Sequence, residues 1–167
     1  MISDSRNPLV AGILPDVRTL LPHSGVMVLL DRVVSVDEES LCAEVRVRPD
    51  SLFMGRDGVG SWVGVEYMAQ AIAAFAGYNA RLQGEAVKMG FLLGTRRYEA
   101  HCDRFVTGTV LMVKVQRVLQ ADNGIGSFEC QIESVEGAMS KAQPLARATI
   151  TVFQPPNVDV FLEGKME

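Results

Sequence analysis

Residues Trp62–Ala80 read WVGVEYMAQAIAAFAGYNA, and only Glu66, Gln70 and Asn79 among them are strongly polar. The alanine-rich remainder predicts a helix that is apolar on every face, with Ser61 as its N-cap and Gly84 near its end. A helix with no polar face has to be buried. About 20 apolar residues cross a bilayer, so length alone nearly qualifies this stretch as a span. Glu66 five residues in, the lack of a second span and the strand-rich remainder place the helix inside a protein domain instead.

On either side the period changes from helical to two. Leu41 to Arg48 alternates, with Leu41, Ala43, Val45 and Val47 on one side and Cys42, Glu44, Arg46 and Arg48 on the other. Phe128/Cys130/Ile132 and Ala146/Ala148/Ile150/Val152 repeat that pattern, and Val26–Val36 and Val110–Val118 also read as strands. Asp122-Asn123-Gly124 supplies residues tolerant of positive φ, which predicts a hairpin between 110–118 and 126–135. Strands, one long buried helix and further strands make an α+β chain, a curved antiparallel sheet wrapped around the helix. The alanines allow sheet and helix to approach closely. From Gln154, followed by Pro155-Pro156, the chain reads as an extended tail over 154–167.

With 167 residues the chain is expected to form one domain, 1–167, large enough to need no disulfide or metal staple. Sixteen Lys+Arg against 20 Asp+Glu give a net charge of -4, which argues against a nucleic-acid backbone as the main partner. Cys42, Cys102 and Cys130 lack CxxC spacing and a nearby His pair, so a reduced, cytoplasmic protein without a metal site is expected. His101, between Ala100 and Cys102, reads as part of a surface turn. Residues 1–14 lack the basic start and long apolar stretch of a secretory signal.

Glu66 carries the chemistry. A carboxylate on an all-apolar helix is expected to be buried, and burial raises a carboxyl pKa until the group can serve as a general acid near neutral pH. Gln70, four residues on, lies on the same face and can orient it. The backbone N–H groups at Ser61, Trp62 and Gly64, at the helix start, suit a carbonyl oxygen that gains negative charge. The alternative is a half-exposed Glu66 bonded within a structural network.

These residues resemble the hot-dog-fold 3-hydroxyacyl-acyl carrier protein dehydratases. Leu21-Pro22-His23 with Val28-Leu29-Leu30-Asp31-Arg32-Val33 is similar to that family's opening LPH…LLVDRV motif. Val65-Glu66-Tyr67-Met68-Ala69-Gln70 resembles its I-E-A-M-A-Q helix motif, whose Glu is catalytic. Phe91-Leu92-Leu93-Gly94, Arg104-Phe105 and Gly108 resemble its F-x-x-G … R-F … P-G-D stretch. The combination PHxxxMxLLD, WVGxEYMAQAIAA and GFLLGTRRYE is most similar to the dehydratases of aryl-polyene pigment clusters. The resemblance implies a hot-dog fold, a type II synthase, an acyl carrier protein substrate in fatty-acid or polyene type synthesis, no cofactor, and a dimer whose active sites lie between subunits. The chain departs from the family in two places. Phe53-Met54-Gly55-Arg56-Asp57 stands where the family has a G-H-F-P motif with its catalytic His, and Ser61-Trp62-Val63-Gly64 replaces the P-G-V that opens the helix.

The general base is therefore His23, or an imidazole from the other subunit of a homodimer or of a heterodimer with a paralogous hot-dog chain. Arg96, Arg97 and Arg104 form either a docking patch for an acidic carrier protein or a solvated strand face. In the expected dehydration the imidazole takes a C2 proton and Glu66 protonates the departing C3 hydroxyl. A hot-dog acyl thioesterase using Glu66 alone, or a non-catalytic subunit, are the alternatives. An enoyl thioester product, a free acid, or neither separates the three.

Overall fold

The computed structural model describes residues 13–135 and 143–164, so the reading of residues 1–14 lies mostly outside it. The central helix α1 runs Gly64–Leu82, and residues 63–80 are all buried or half-buried, as a helix apolar on nearly every face requires. It ends beside Gly84, whose φ of +71° suits glycine. Ser61 is not its N-cap. A 3-10 turn over Ser61–Val63 leads straight into the helix, so the Gly64 N–H already donates to the Ser61 carbonyl and no side-chain cap forms.

The described residues form eight strands: β1 (Arg32–Val36), β2 (Ser40–Arg46), β3 (Gly58–Gly60), β4 (Phe91–Ala100), β5 (Arg104–Val106), β6 (Val110–Gln120), β7 (Ile125–Ser134) and β8 (Ala146–Phe153), and α1 packs against β2, β6, β7 and β8. Six form one antiparallel sheet in the order β1-β2-β6-β7-β8-β4, and β3 pairs with β5 in a small second sheet. This is the α+β arrangement the periodicity predicts and the hot-dog fold the resemblance implies. The period-two rows supply the inner face: Ala43, Val113 and Ile132 bury completely in one core with Met68, Ala71 and Phe75 of α1. Gly77 lets the entering chain cross the helix, because a Cβ there would occupy the position of the Leu20 carbonyl.

The 110–118/126–135 hairpin forms as β6 and β7, with Gly124 at φ +91° in the turn. Val26–Val36 is a strand only from Arg32. Gly25–Met27 makes a 3-10 turn after Gly25 at φ +59°, and Val26 and Met27 are exposed. The described part of the expected extended tail is also different: Asn157 accepts a hydrogen bond from the Val160 N–H and caps a short helix, α2 (Val158–Leu162). On the outer face of β2, Glu44 is buried because Arg32 and Arg46 fold over it, at 2.8 and 2.7 Å. Among the described residues β4 is an edge strand, hydrogen-bonded to β8 alone, and a bulge between Arg96 and Glu99 puts Arg97 at φ +53°. Among the described residues no helix is long and apolar enough to cross a membrane.

Candidate active site

Glu66 stands in the first turn of α1, and Gln70 stands one turn later on the same face. The Gln70 amide is completely buried and fully used: Nε2 donates to Glu66 Oε1 (3.0 Å) and to the Met27 carbonyl (2.7 Å), and Oε1 accepts from the Leu29 N–H (2.9 Å). One side chain therefore aims the carboxylate and fastens the segment before β1 across the helix. Its two backbone partners explain why residues 26–31 do not extend β1.

That segment carries His23. Its Nε2 lies 3.7 Å from Glu66 Oε1, while its Nδ1 is buried with no hydrogen-bond partner among the described residues. The ring thus turns its Nε2 toward the carboxylate. The expectation of a buried Glu66 is corrected: its side chain is 39% exposed, with His23 at 28%. Glu66 sits at a mouth, not in the core.

The mouth opens into a slot of about 290 Å³. Ala69, Ala73 and Ala76, at spacings of four and three, continue the Glu66 face of α1 for roughly 15 Å at 1.5 Å per residue. Phe91, Phe128 and Phe153 form the opposite wall from β4, β7 and β8. Small residues on one side and flat ones on the other leave a narrow apolar channel that a hydrocarbon chain can fill.

The helix start holds Tyr98 as well, whose hydroxyl donates to the Ser61 carbonyl and lies where a Cβ on Gly64 would go. Burial pushes the Tyr98 phenol up to about 12. Two of the expected oxyanion donors are already engaged, since Ser61 N–H donates to the Asp103 carbonyl (3.1 Å) and Gly64 N–H to the Ser61 carbonyl. Trp62 is the remaining one of the three; its indole is 65% exposed and packs edge-on against Phe53.

The loop without the family's histidine is ordered by its own backbone. Phe53 and Asp57 have φ of +66° and +64°, Gly55 N–H donates to the Gly58 carbonyl, and the Arg104 guanidinium donates to the Arg56 carbonyl. Arg104 is thereby committed to this loop and does not extend the Arg96–Arg97 pair, which is exposed on β4 of the other sheet. His101 is exposed between β4 and β5. Sequence reasoning missed Tyr98 and the alanine face. The alanines were detectable, because they fall at helical spacing from Glu66.

A family model described as ApeP-like, ApeP dehydratase, matches residues 15–163. The chain belongs to the ApeP-like dehydratase family. It is similar to the dehydratase heterocomplex ApeI:P from Xenorhabdus doucetiae, at 28% identity and a TM-score of 0.81, over 92% of this chain and 100% of that one. A hypothetical thioesterase with coenzyme A from Streptococcus pneumoniae TIGR4 matches at 15% identity and TM-score 0.56, over 74% of this chain and 84% of that one. The PaaI protein from the E. coli phenylacetic acid degradation operon matches at 16% and 0.53, over 72% and 80%. These last two likenesses share the ApeP-like chain's fold alone. No curated protein matches the chain.

Proposed function

We propose that this ApeP-like chain is one subunit of a hot-dog heterodimer that dehydrates 3-hydroxyacyl-acyl carrier protein to the trans-2-enoyl thioester in aryl-polyene or fatty-acid type synthesis. The observation that carries the reading is Glu66, aimed by Gln70 at the mouth of an apolar slot. An acyl chain fills the slot, and the C3 hydroxyl lies beside the carboxyl. An imidazole takes the C2 proton, the released electron pair forms the C2–C3 double bond, and the C3–O bond breaks as protonated Glu66 delivers its proton to the oxygen, releasing water. The imidazolium then returns a proton to Glu66. The Trp62 amide is the candidate to hold the thioester oxygen during this step.

The base comes from a paralogous subunit. His23 Nε2 faces Glu66, and the loop at 53–57 brings an arginine instead of the family's histidine. In support, the ApeI:P structure is a heterocomplex, and β4 offers an unpaired edge with Leu92 and Leu93 exposed. The 3.7 Å approach of His23 favours a second reading, with His23 as the base within one chain. Turnover of a 3-hydroxyacyl carrier protein decides between them. The first reading expects activity only when the paralogue is added, retained in His23→Ala and lost in Glu66→Gln, whose amide keeps the shape but cannot supply the proton. Robust single-chain activity that vanishes in His23→Ala overturns the composite site. Activity of Glu66→Gln within about threefold of wild type, far short of the 10²-fold or more typical of acid catalysis, overturns both.

A further inference from the structure

The slot needs an end. Along β7, Ile132 lies 3.0 Å from the position of a Gly64 Cβ at the start of α1, and Phe128 packs edge-on against Phe75 near its middle. Three residues further along β7, the row of Ile125 with Phe153 and Phe91 therefore lies beyond Phe75, at the end of the slot away from Glu66. Phe91 and Phe153 line that end, and the ring of Phe161 packs against both, with centroids 5.0 and 5.4 Å away. Phe161 belongs to α2, a helix whose neighbouring apolar residues Val160 and Leu162 are exposed. Of the side chains in its last turn, Phe161 is the one turned onto the body.

The chain just before α2 is firmly held. Gln154 N–H donates to the Gly124 carbonyl (2.9 Å), and Gly124 has no room for a Cβ beside the Gln154 backbone. The wall formed by Phe91 and Phe153 is thus fixed from the sheet side and clasped from outside by a single ring.

We infer that Phe161 is a specificity-determining positioning residue: by clasping Phe91 and Phe153 it closes the far end of the slot and sets the longest acyl chain the subunit accepts. The inference rests on the reading of the slot as the acyl site. Shorter chains never reach the wall, so Phe161 leaves them alone; longer ones are refused because the two phenylalanines cannot swing outward while the third ring backs them.

The test is binding of S-acyl pantetheines of increasing saturated chain length to the full chain, measured by calorimetry on wild type, Phe161→Ala and the conservative Phe161→Leu. In wild type, affinity is expected to rise roughly fourfold per methylene until the chain meets the wall, then to stop rising. In Phe161→Ala that limit moves outward by roughly two carbons or more, into the space the ring vacates, while shorter chains bind within about twofold of wild type. Phe161→Leu, apolar but smaller than the ring, moves the limit outward by a smaller step and supplies the measurement if the alanine variant does not fold. A limit unchanged in the variants, or a loss of affinity equal at all lengths, overturns the inference and leaves the acyl slot standing. Failure of every acyl pantetheine to bind wild type overturns the acyl slot, and this inference with it.

Discussion

Replacing Gln70 by Met tests whether one buried amide holds the site together. Met has similar volume and no hydrogen-bonding head, so the variant removes three bonds without opening a large cavity. The Leu29 N–H and the Met27 carbonyl lose their partner, at about 1–3 kcal/mol for each group left unsatisfied. About 1–2 kcal/mol returns because a polar amide no longer has to be buried. The net loss is about 2–3 kcal/mol, a large share of the roughly 5–15 kcal/mol that holds a domain together. At about 2–4 °C per kcal/mol for a chain of this size, the melting temperature falls by about 4–12 °C. The loss is local first: hydrogen exchange at the Leu29 amide should speed by roughly tenfold or more, since each 1.4 kcal/mol of local opening is a factor of ten. His23 loosens with its segment. Melting within about 2 °C of wild type together with unchanged Leu29 protection would refute the fastening role.

Three further perturbations follow from the same geometry. Gly64→Ala places a methyl against the Tyr98 hydroxyl, Ile132 and Phe105, and should cost about 1–3 kcal/mol in a chemical unfolding titration, with Tyr98→Phe in the same chain recovering part of it. Burial tends to raise the Glu44 carboxyl, but the Arg46 and Arg32 guanidiniums outweigh it and hold the group below its ordinary 4.5. Its stabilisation is therefore fully present above pH 4.5 and lost as pH falls through the lower folded value; Arg46→Ala should move the acid limb of a melting-temperature series to higher pH, and an unmoved limb rules out the pairing as its source. Arg96→Glu with Arg97→Glu should slow association with the acyl carrier protein in a salt-dependent way, and equal on-rates at low salt would put the docking surface elsewhere.

The helix and the period-two strands were legible because burial on all faces or on alternate faces leaves its mark residue by residue. Val26–Val36 was misread because its apolar composition is that of a strand, whereas Gly25 and the long-range claim of Gln70 on Met27 and Leu29 decide its path. The tail was misread on Pro155-Pro156, although Asn157 three residues before Val160 was the cap signal. At the site, helical spacing was enough to join Gln70 to Glu66. Whether His23 meets Glu66 depends on a segment more than 40 residues away in sequence, which only the fold brings back. Exposure of Glu66 was equally out of reach, because the helix sequence reports its own polarity and not where the sheet stops covering it.

The edge strand β4 has a consequence for how the protein must be made. Its first half exposes Leu92 and Leu93 beside a row of backbone donors and acceptors unpaired among the described residues, while its second half carries Arg96, Arg97 and the bulge. Only the second half is protected against indiscriminate strand addition. On the proposed heterodimer reading, a surplus of this chain over the partner that covers β4 is a surplus of sticky ends, prone to clump or to be degraded. In the proposed heterodimer, balanced synthesis of the two chains then sets how much complex accumulates.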